Sequence, residues 1–490
     1  MEQLMMITIV VPILWGLVLL MKSEFKNRNT LVAIAGIGLV TTAILACSMI
    51  VGEETEVFLF SLGEKMNIFF RMDAVSRLFA TVITVVWVLA GIYSFEYMKH
   101  ENEEKRYFGF YLIVFGVLLA LTLAGNLITY YLFYEMMTLL SMPLVLHTKS
   151  KEAVMGGLKY LFYSLLGAYM VLFGIYFLNK YAFTMDFTAG GTLNMSAAAG
   201  NEQILLIAAF SMIVGFGVKA GMFPMHAWLP TAHPIAPAPA SAVLSGVITK
   251  MGVLGILRTV YYIFGADFLR NTWVQKAWMS LALITIFMGS MLAYREKILK
   301  KRMAYSTVSQ ISYILFGMAL LQQEGLTGSL LHVVFHAAIK SVLFLCVGAV
   351  IYKTGKTKAE DLKGIGKEMP ITIWCYTIAS AALIGIPPAS GFISKWYLAI
   401  GALKSEIPVF SWLGAVVLLL SALLTAGYLL PITVNGFLPG ADYNYRKLKK
   451  KEPKNMMVLP ILILAVLTVV LGVYPTFVTN FISRIVDVVL

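Results

Sequence analysis

The chain has 490 residues, of which 59% are hydrophobic and only 13% are charged, with a net charge of +13 and a mean hydropathy of +0.82. Soluble domains carry about 25% charged residues, so this composition excludes an ordinary soluble fold. Apolar runs of about 18 residues or more recur from end to end, and each is long enough to cross a membrane. We therefore expect an all-α polytopic membrane protein.

About fourteen membrane spans are predicted. The first, at residues 4–22, is followed by a basic loop without a small-residue cleavage site, which favours a retained helix over a signal peptide. The others are expected at 30–51, 74–95, 107–124, 126–146, 157–178, 203–225, 238–259, 274–294, 302–321, 328–351, 370–402 (interrupted), 409–432 and 456–477.

Basic residues divide unequally between the two sets of loops. If residues 22–29 are cytoplasmic, alternate loops share that side and carry 24 lysines and arginines, including Lys26, Arg446 and Lys447, against seven in the other loops. The positive-inside rule then predicts an inner (cytoplasmic) membrane location with both termini on the outer side. The basic excess is thus explained by topology, and no nucleic-acid partner is expected.

The sequence offers no pattern typical of a catalytic or redox centre. Cys47, Cys346 and Cys375 lie singly in apolar segments, without metal-ligand spacing, so neither a metal site nor an iron–sulfur cluster is predicted. Phosphate loops, nucleophile triads and dinucleotide fingerprints are not visible. We expect no cofactor in this chain.

Two glycine- and proline-containing breaks suggest an internal repeat. The segment from Gly221 to Pro224 resembles the segment from Gly385 to Pro388, with an offset of 164 residues, and Pro387 precedes the last of these. Two five-helix halves account for the offset, and an odd number of spans makes the second copy inverted in the membrane. Broken helices at matching positions are typical of transport sites. The predicted division is 1–106 (spans one to three), 107–259 (first repeat), 260–440 (second repeat) and 441–490 (basic loop and last span).

Several ionisable residues fall inside the predicted spans. A charge at the bilayer centre costs about 2.5–3.5 kcal/mol, so each should face the protein interior, a partner or water. Glu135 is the only acid well inside a span, and Lys219 lies five residues before Pro224. A static ion pair would fix helix packing. Alternatively, the carboxylate modulates a lysine that loads and releases a proton, which arginine could not readily do.

Further titratable residues follow along the chain. Lys250 is in the middle of span eight, and Lys395 lies seven residues after Pro388. His332, His336 and Lys340 are spaced i, i+4, i+8, which places them on one helix face about 6 Å apart along the axis. This spacing favours a proton relay over packing histidines or a metal site.

Two more histidines flank the first break. His226 and His233 lie on either side of Trp228-Leu229-Pro230, at its cytoplasmic side. They could gate proton entry or cap a turn, and the sequence favours neither.

Three long motifs resemble one known family. They are 217–234 (GVKAGMFPMHAWLPTAHP) followed by 237–246 (PAPASAVLSG), then 301–310 (KRMAYSTVSQ) and 385–392 (GIPPASGF). They are similar to the antiporter-like proteins, which include the large pumping subunits of respiratory complex I, the A-type and D-type components of Mrp sodium/proton antiporters, and homologues in membrane-bound hydrogenases. The resemblance covers nearly the whole chain.

The resemblance implies a fourteen-helix core with two inverted five-helix repeats and broken helices seven and twelve. It implies a proton-translocating subunit of a multisubunit complex of Mrp, hydrogenase or ferredoxin-oxidoreductase type, with other membrane subunits as partners and protons, or also sodium, as transported ions. Because the chain stops shortly after span fourteen, it resembles the Mrp D type. The residues that match the family's buried polar line are Glu135, Lys219, Lys250, His332, His336, Lys340 and Lys395.

Three alternatives remain open at the level of sequence. The chain could be a self-sufficient secondary transporter for a small solute. It could be a proton-pumping subunit of an NADH-quinone oxidoreductase. It could also be a structural scaffold whose buried ions are static.

Overall fold

The computed structural model describes residues 1–22, 25, 27–440, 443–444 and 448–490. The predicted cytoplasmic residues Lys26, Arg446 and Lys447 lie outside this range. Within it the chain is mostly helical, and 11 helices are long and apolar enough to cross a membrane. The chain is therefore a multi-span membrane protein, as its composition predicts.

Every predicted span contains at least one helix. The helices are α1 (Glu2–Met21), α2 (Arg28–Val51), α3 (Ala74–Tyr97), α4 (Glu104–Leu123), α5 (Leu127–Val145), α6 (Lys151–Tyr181), α7 (Met195–Ala198), α8 (Glu202–Ala220), α9 (Leu229–Ile235), α10 (Ala238–Val243), α11 (Thr249–Leu257), α12 (Ala266–Leu269), α13 (Trp273–Arg295), α14 (Leu299–Ala319), α15 (Gln323–Thr354), α16 (Ile365–Glu368), α17 (Pro370–Ile384), α18 (Ser390–Lys404), α19 (Phe410–Phe437), α20 (Asn455–Val473) and α21 (Thr476–Val489).

Some elements differ from the sequence prediction. Strands β1 (Glu56–Ser61) and β2 (Asn67–Arg71) form an antiparallel hairpin where only a loop was expected. The amphipathic helix α21 follows α20, with one face packed on α15. Helices α6 and α15 extend beyond the predicted 157–178 and 328–351, because their polar end residues continue the helix although they lower the local hydropathy.

Both predicted breaks have the same backbone form. Helix α8 ends at Gly221, whose φ of +78° is left-handed, and a short 3₁₀ turn, Met225–Trp228, precedes α9. Helix α17 ends at Gly385 with a φ of +97°, and α18 begins five residues later. Glycine is favoured at such helix ends because it has no Cβ to clash in the left-handed region.

The core lies around the segment Ala238–Phe264, which is fully buried over its most apolar stretch. This segment joins α10 and α11 through a π turn at Leu244–Ile248 and ends in a second one at Arg258–Phe264. Helices α4 and α15 are almost as deeply buried, whereas only about a third of the residues in the most apolar stretch of α1, α2, α19 and α20 are buried. π turns inside α-helices are frequent at functional sites, and here the first lies immediately before Lys250.

Candidate buried proton path

The Lys219 amine lies in a pocket of hydroxyl groups near the end of α8. Its Nζ donates to Thr138 Oγ1 at 2.9 Å on α5, and to Tyr160 Oη at 3.0 Å and Ser164 Oγ at 2.8 Å on α6. The side chain is fully buried. An isolated buried ammonium would be very costly, and these three hydrogen bonds offset that cost.

Aromatic rings complete the Lys219 pocket. Nζ lies 4.2 Å from the centroid of the Tyr160 ring and 5.9 Å from that of Trp228, distances at which the negative faces of the rings attract a cation. Trp228 follows the break, and its Nε1 donates back across it to Val218 O at 2.7 Å. The break therefore folds an aromatic cover over the amine.

Glu135 reaches the same junction without bonding the amine directly. It lies on α5 three residues before Thr138, and its Oε1 is buried without a hydrogen-bond partner in the described part of the chain. The hydroxyl of Thr138 takes the hydrogen bond from Lys219 instead. The carboxylate still interacts with the Lys219 charge through space. The expected acid–base couple therefore makes no direct hydrogen bond among the described residues.

Lys250 links the middle of the protein to α15. Its Nζ makes a hydrogen bond of 2.7 Å with His336 Nδ1 and donates to Ser245 O at 2.5 Å. Two residues later, Gly252 lets α11 approach α8 so closely that a Cβ there would lie 3.1 Å from Lys219 Cβ. The helices that carry the two lysines are therefore in direct contact.

The α15 histidines continue the row toward the second break. The rings of His332 and His336 stack at 5.6 Å, and Tyr313 of α14 stacks on His332 at 5.6 Å. His332 Nδ1 makes a hydrogen bond of 2.9 Å with Ser394 Oγ on α18. Nε2 of both histidines is buried without a partner in the described residues. The predicted relay face therefore joins α11, α14, α15 and α18.

Lys395 is bound by carbonyl groups at the C-terminal end of α17, the first half of the second broken helix. Its Nζ donates to Leu383 O at 2.5 Å and Ile384 O at 3.2 Å, and lies 4.9 Å from the centroid of the Tyr313 ring. The last carbonyls of a helix lack intrahelical donors and carry the negative end of its dipole, so they bind an ammonium well. The break at Gly385 thus creates the Lys395 site.

Lys340 departs from the row that its spacing predicts. Its Nζ donates to Met303 O of α14 at 3.1 Å, rather than continuing from His336 along α15. The amine is fully buried. Its long side chain carries it sideways, which the i+8 spacing of Cα positions does not determine.

The two histidines beside the first break have different surroundings. His233 is fully buried, stacks on Phe344 at 4.7 Å, and has no hydrogen bond to either ring nitrogen among the described residues. His226 is half-buried and stacks on Phe223 at 6.0 Å. Neither ring caps a helix end. A buried imidazole with two open nitrogens is suited to meeting water or a neighbouring titratable group.

Sequence reasoning missed the neutral groups that build these sites. The most important are Thr138, Tyr160, Ser164, Tyr313 and Ser394. The i, i+4 spacing of Tyr160 and Ser164 and the position of Thr138 near Glu135 were visible signals. Arg258, near the end of its span, is buried and makes a bidentate ion pair with Asp73, at 2.6 and 2.8 Å.

No cluster of three or more metal-ligand side chains occurs in the described residues. The histidines of α15 have lysine, tyrosine and serine as neighbours rather than a third ligand. The geometry is that of a row of titratable side chains without a metal-ligand cluster among the described residues.

Comparison with known proteins places this geometry in a family. Residues 124–425 match the family model described as "NADH:quinone oxidoreductase/Mrp antiporter, TM", and residues 59–108 match "NADH-Ubiquinone oxidoreductase (complex I), chain 5 N-terminus". The first match covers more than half of the chain and includes both breaks and every residue of the row.

Individual proteins agree with the family match. The NADH-quinone oxidoreductase subunit N of Desulforudis audaxviator is 30% identical over 450 residues, which cover 88% of this chain and 87% of that protein. The D-type component of the Na(+)/H(+) antiporter of Alkalihalophilus pseudofirmus is 27% identical over 483 residues, which cover 96% and 94%.

A solved structure has the same fold. The structure of the Mrp complex from Dietzia sp. contains a chain that matches with a TM-score of 0.86 at 23% identity, covering 100% of this chain and 98% of that one. The resemblance predicted from the motifs is confirmed: the chain belongs to the NADH:quinone oxidoreductase/Mrp antiporter family of multi-span membrane proteins.

Proposed function

We propose that the chain is a proton-translocating, antiporter-like subunit of a multisubunit membrane complex. The observation that carries the proposal is the buried row of basic side chains that runs between the two helix breaks. Its members are Lys219, Lys250, His336, His332 and Lys395, with Glu135 at one end. Static charges would need acids to neutralise them, and the spans supply fewer acids than bases.

The pocket around Lys219 suits a site that gains and loses a proton. Hydroxyl groups can both donate and accept, so Thr138, Tyr160 and Ser164 can remain hydrogen-bonded to the nitrogen in either protonation state. A change in the distance between Glu135 and the amine then shifts the charge of Lys219. The proton passes toward Lys250 and His336, whose direct hydrogen bond is the next step of the path.

A neighbouring subunit would supply the driving force for proton transport. The similar Mrp complex and NADH-quinone oxidoreductase protein support an assembly with other membrane subunits, through either a cation antiporter or a redox-driven complex. In either kind of complex, protons would follow the same buried path through this chain. The proposed environment is the inner (cytoplasmic) membrane, with the basic loops in the cytoplasm and both termini outside.

We further propose fourteen spans arranged as two inverted five-helix repeats. The broken helices α8–α9 and α17–α18 each form one span. With α17–α18, α5 and α14 added to the 11 long apolar helices, the total is fourteen. Matching contacts in the two halves support the repeat. The pairs that pack in both are α4–α5 and α13–α14, α5–α6 and α14–α15, α6–α8 and α15–α17, and α8–α11 and α17–α19. The proposed units are 1–106, 107–259, 260–440 and 441–490.

Substitution of the two residues at the start of the row tests the function. Lys219→Ala and Glu135→Ala should each abolish proton-coupled transport by the native complex in inverted membrane vesicles, because each removes an ionisable group. The complex should still assemble, as checked by purification with its partner subunits. Full transport by either variant would rule out the path.

The remaining alternatives give different results. A self-sufficient transporter would take up solute when this chain alone is reconstituted into liposomes. A scaffold with static charges would keep full transport after Lys340 and Lys395 are both replaced by methionine. We expect neither result.

His226 and His233 are proposed as proton-entry residues beside the first break.

A further inference from the structure

An apolar cleft of about 240 Å³ opens beside the N-terminal end of α3. Helix α3 contributes Leu78 and Val82 to its lining, and α21 contributes Phe477 and Phe481. Each pair is spaced i, i+4, so the two side chains of a pair lie on one face of their helix. We call this feature the α3–α21 cleft.

The cleft reaches helix α15 at one residue. Between Gly325 and Val350 every residue of α15 is buried except Val334, which lines the cleft. Val334 lies about three turns into α15, whereas the α3 lining begins in the first turn of that helix. The cleft therefore leads from the membrane edge to the middle of the helix that carries His332 and His336.

One charged side chain lines the cleft. Arg77 lies in the first turn of α3, and its Nε is buried without a hydrogen-bond partner among the described residues. Asp73, one turn earlier, pairs with Arg258 instead. The rest of the Arg77 side chain is partly exposed, so its guanidinium is open to a partner from outside the chain. A cation beside an apolar surface favours an anionic partner, because its charge is costly away from water.

Helix α21 borders the cleft with a surface suited to the edge of a membrane. Phe477 is 83% exposed, and the exposed positions of the same helix include the charged residues Arg484 and Asp487. Such a mixture of aromatic and charged side chains on an amphipathic helix is typical of the boundary between lipid tails and headgroups. The mouth of the cleft is therefore placed where a phospholipid presents both its phosphate and its acyl chains.

We propose that the α3–α21 cleft binds one anionic phospholipid from the membrane. Its phosphate pairs with the Arg77 guanidinium, and one acyl chain extends along α3 to Val334. Arginine matches phosphate well, because its planar fork donates two parallel, charge-assisted hydrogen bonds. Pockets that enclose drug-sized molecules measure about 300–1,000 Å³, so this smaller cleft suits a single hydrocarbon chain.

The charge of the cleft favours an anionic headgroup over a zwitterionic one. A zwitterionic phospholipid brings an ammonium group close to its phosphate, and Arg77 repels that group. The bound acyl chain covers the opening through which Val334 is exposed. The proposal concerns lipid binding alone and does not depend on proton transport.

Photolabelling of the native complex tests the site. The purified complex is reconstituted in phosphatidylcholine vesicles that contain, as a minor component, phosphatidylglycerol with a diazirine in the middle of one acyl chain. After illumination, the labelled peptides are identified by mass spectrometry. We expect label beside Val334 on α15 and beside Phe481 on α21. The same diazirine on phosphatidylcholine should label these peptides about tenfold less, because a hydrogen bond to a charged group changes affinity by about that factor.

Substitutions test the two parts of the site separately. Arg77→Gln should lower labelling by the phosphatidylglycerol probe about tenfold. Val334→Phe should lower it by filling the end of the cleft. Lys180→Gln is the matched control, because Lys180 is an exposed cation near the end of α6 outside the cleft, and its loss should leave labelling unchanged. The comparison of the two probes uses the unaltered chain, so it stands even where a variant fails to assemble.

Four results would overturn the proposal. Equal labelling by the two probes would show that ordinary membrane lipid fills the cleft. Full labelling of Arg77→Gln would show that the guanidinium does not bind the lipid. Absence of label from both peptides would indicate that a partner subunit covers the cleft. Competition by glycerol phosphate, which has the headgroup phosphate but no acyl chain, would indicate a site for free anions.

Discussion

At the scale of single residues, the Lys219 amine is bound by three hydroxyl groups, and these partners affect how easily the amine changes its charge. A carboxylate in contact would hold the ammonium in one charge state, because the ion pair favours charge on both partners. Hydroxyls satisfy the amine without fixing its charge. Glu135, one turn away, can then act as an adjustable influence rather than a permanent partner.

Thr138 on α5 accepts a hydrogen bond from the Lys219 amine and lies one helical turn from Glu135. Thr138→Val keeps the shape and removes the hydrogen bond, and a hydrogen bond to a charged group contributes about 1.5–3 kcal/mol. We expect proton-coupled transport in vesicles to fall severalfold or more. Thr138→Ser keeps the hydroxyl and should retain most activity. Equal losses in the two variants would indicate that the methyl group, not the hydroxyl, is required.

His147 gives a prediction about pH outside the membrane-spanning helices. Burial, together with the positive charge of Arg106, lowers the pKa of His147 to about 4. The unfolded chain, with an ordinary histidine pKa of about 6.5, takes up a proton first as the pH falls. The contribution to stability is therefore complete above pH 6.5 and is lost progressively between about pH 6.5 and 4.

The thermal unfolding midpoint of the complex measures this effect. His147→Gln cannot titrate in this range but can still donate to Asn102 O, which His147 Nε2 contacts at 2.8 Å. The midpoint should decline less steeply between pH 6.5 and 4 in this variant than in the native protein. Identical slopes would show that folding does not change the pKa of His147.

At the scale of helices, the contact between α8 and α11 joins the two parts of the lysine row. A Cβ at Gly252 would lie 2.5 Å from Phe216 O and 2.8 Å from Ala220 N. Both atoms belong to the backbone, so they cannot rotate away. The close approach of these two helices brings the backbone next to Lys250 into contact with the backbone around Lys219.

Gly252→Ala should therefore separate the two helices. Overpacking of this kind costs about 1–3 kcal/mol, and we expect a lower thermal midpoint together with reduced transport. Gly36→Ala is a suitable control, because its Cβ would meet only Phe95 ring atoms, at 3.6 and 3.8 Å. Normal transport by Gly252→Ala would show that the proton path does not need this contact.

The buried ion pair between Arg258 and Asp73 acts at the scale of the whole molecule. Asp73 caps α3 through the Ser76 amide at 2.8 Å and binds both terminal nitrogens of Arg258. It thus attaches the N-terminal helices to the end of the core segment Ala238–Phe264. Arg258 is buried beside the rings of Phe187 and Tyr262. Asp73 is the acid that neutralises its charge.

Removing one charge of the pair should destabilise the protein more than removing both charges. Arg258→Met leaves a partly buried carboxylate without its partner, and losses of about 3–5 kcal/mol are typical of such variants. Arg258→Met combined with Asp73→Asn removes both charges and keeps the helix cap. We expect its thermal midpoint to lie above that of the single variant. A still lower midpoint would indicate that the charges themselves stabilise the fold.

The sequence by itself determined the membrane class, the position of the helices, both breaks and the ionisable residues of the row. These follow from local properties: apolar runs, glycine and proline, and charges too costly to face lipid. It did not determine the β hairpin, the amphipathic α21 or the burial of Arg258, because these depend on partners distant in the chain.

Tertiary structure decided which groups touch. It placed hydroxyls around Lys219 and directed the Lys340 amine toward α14. Serine, threonine and tyrosine are common in apolar spans and carry no signal by themselves. Their function arises only when helix packing brings their hydrogen-bonding groups to the same buried point.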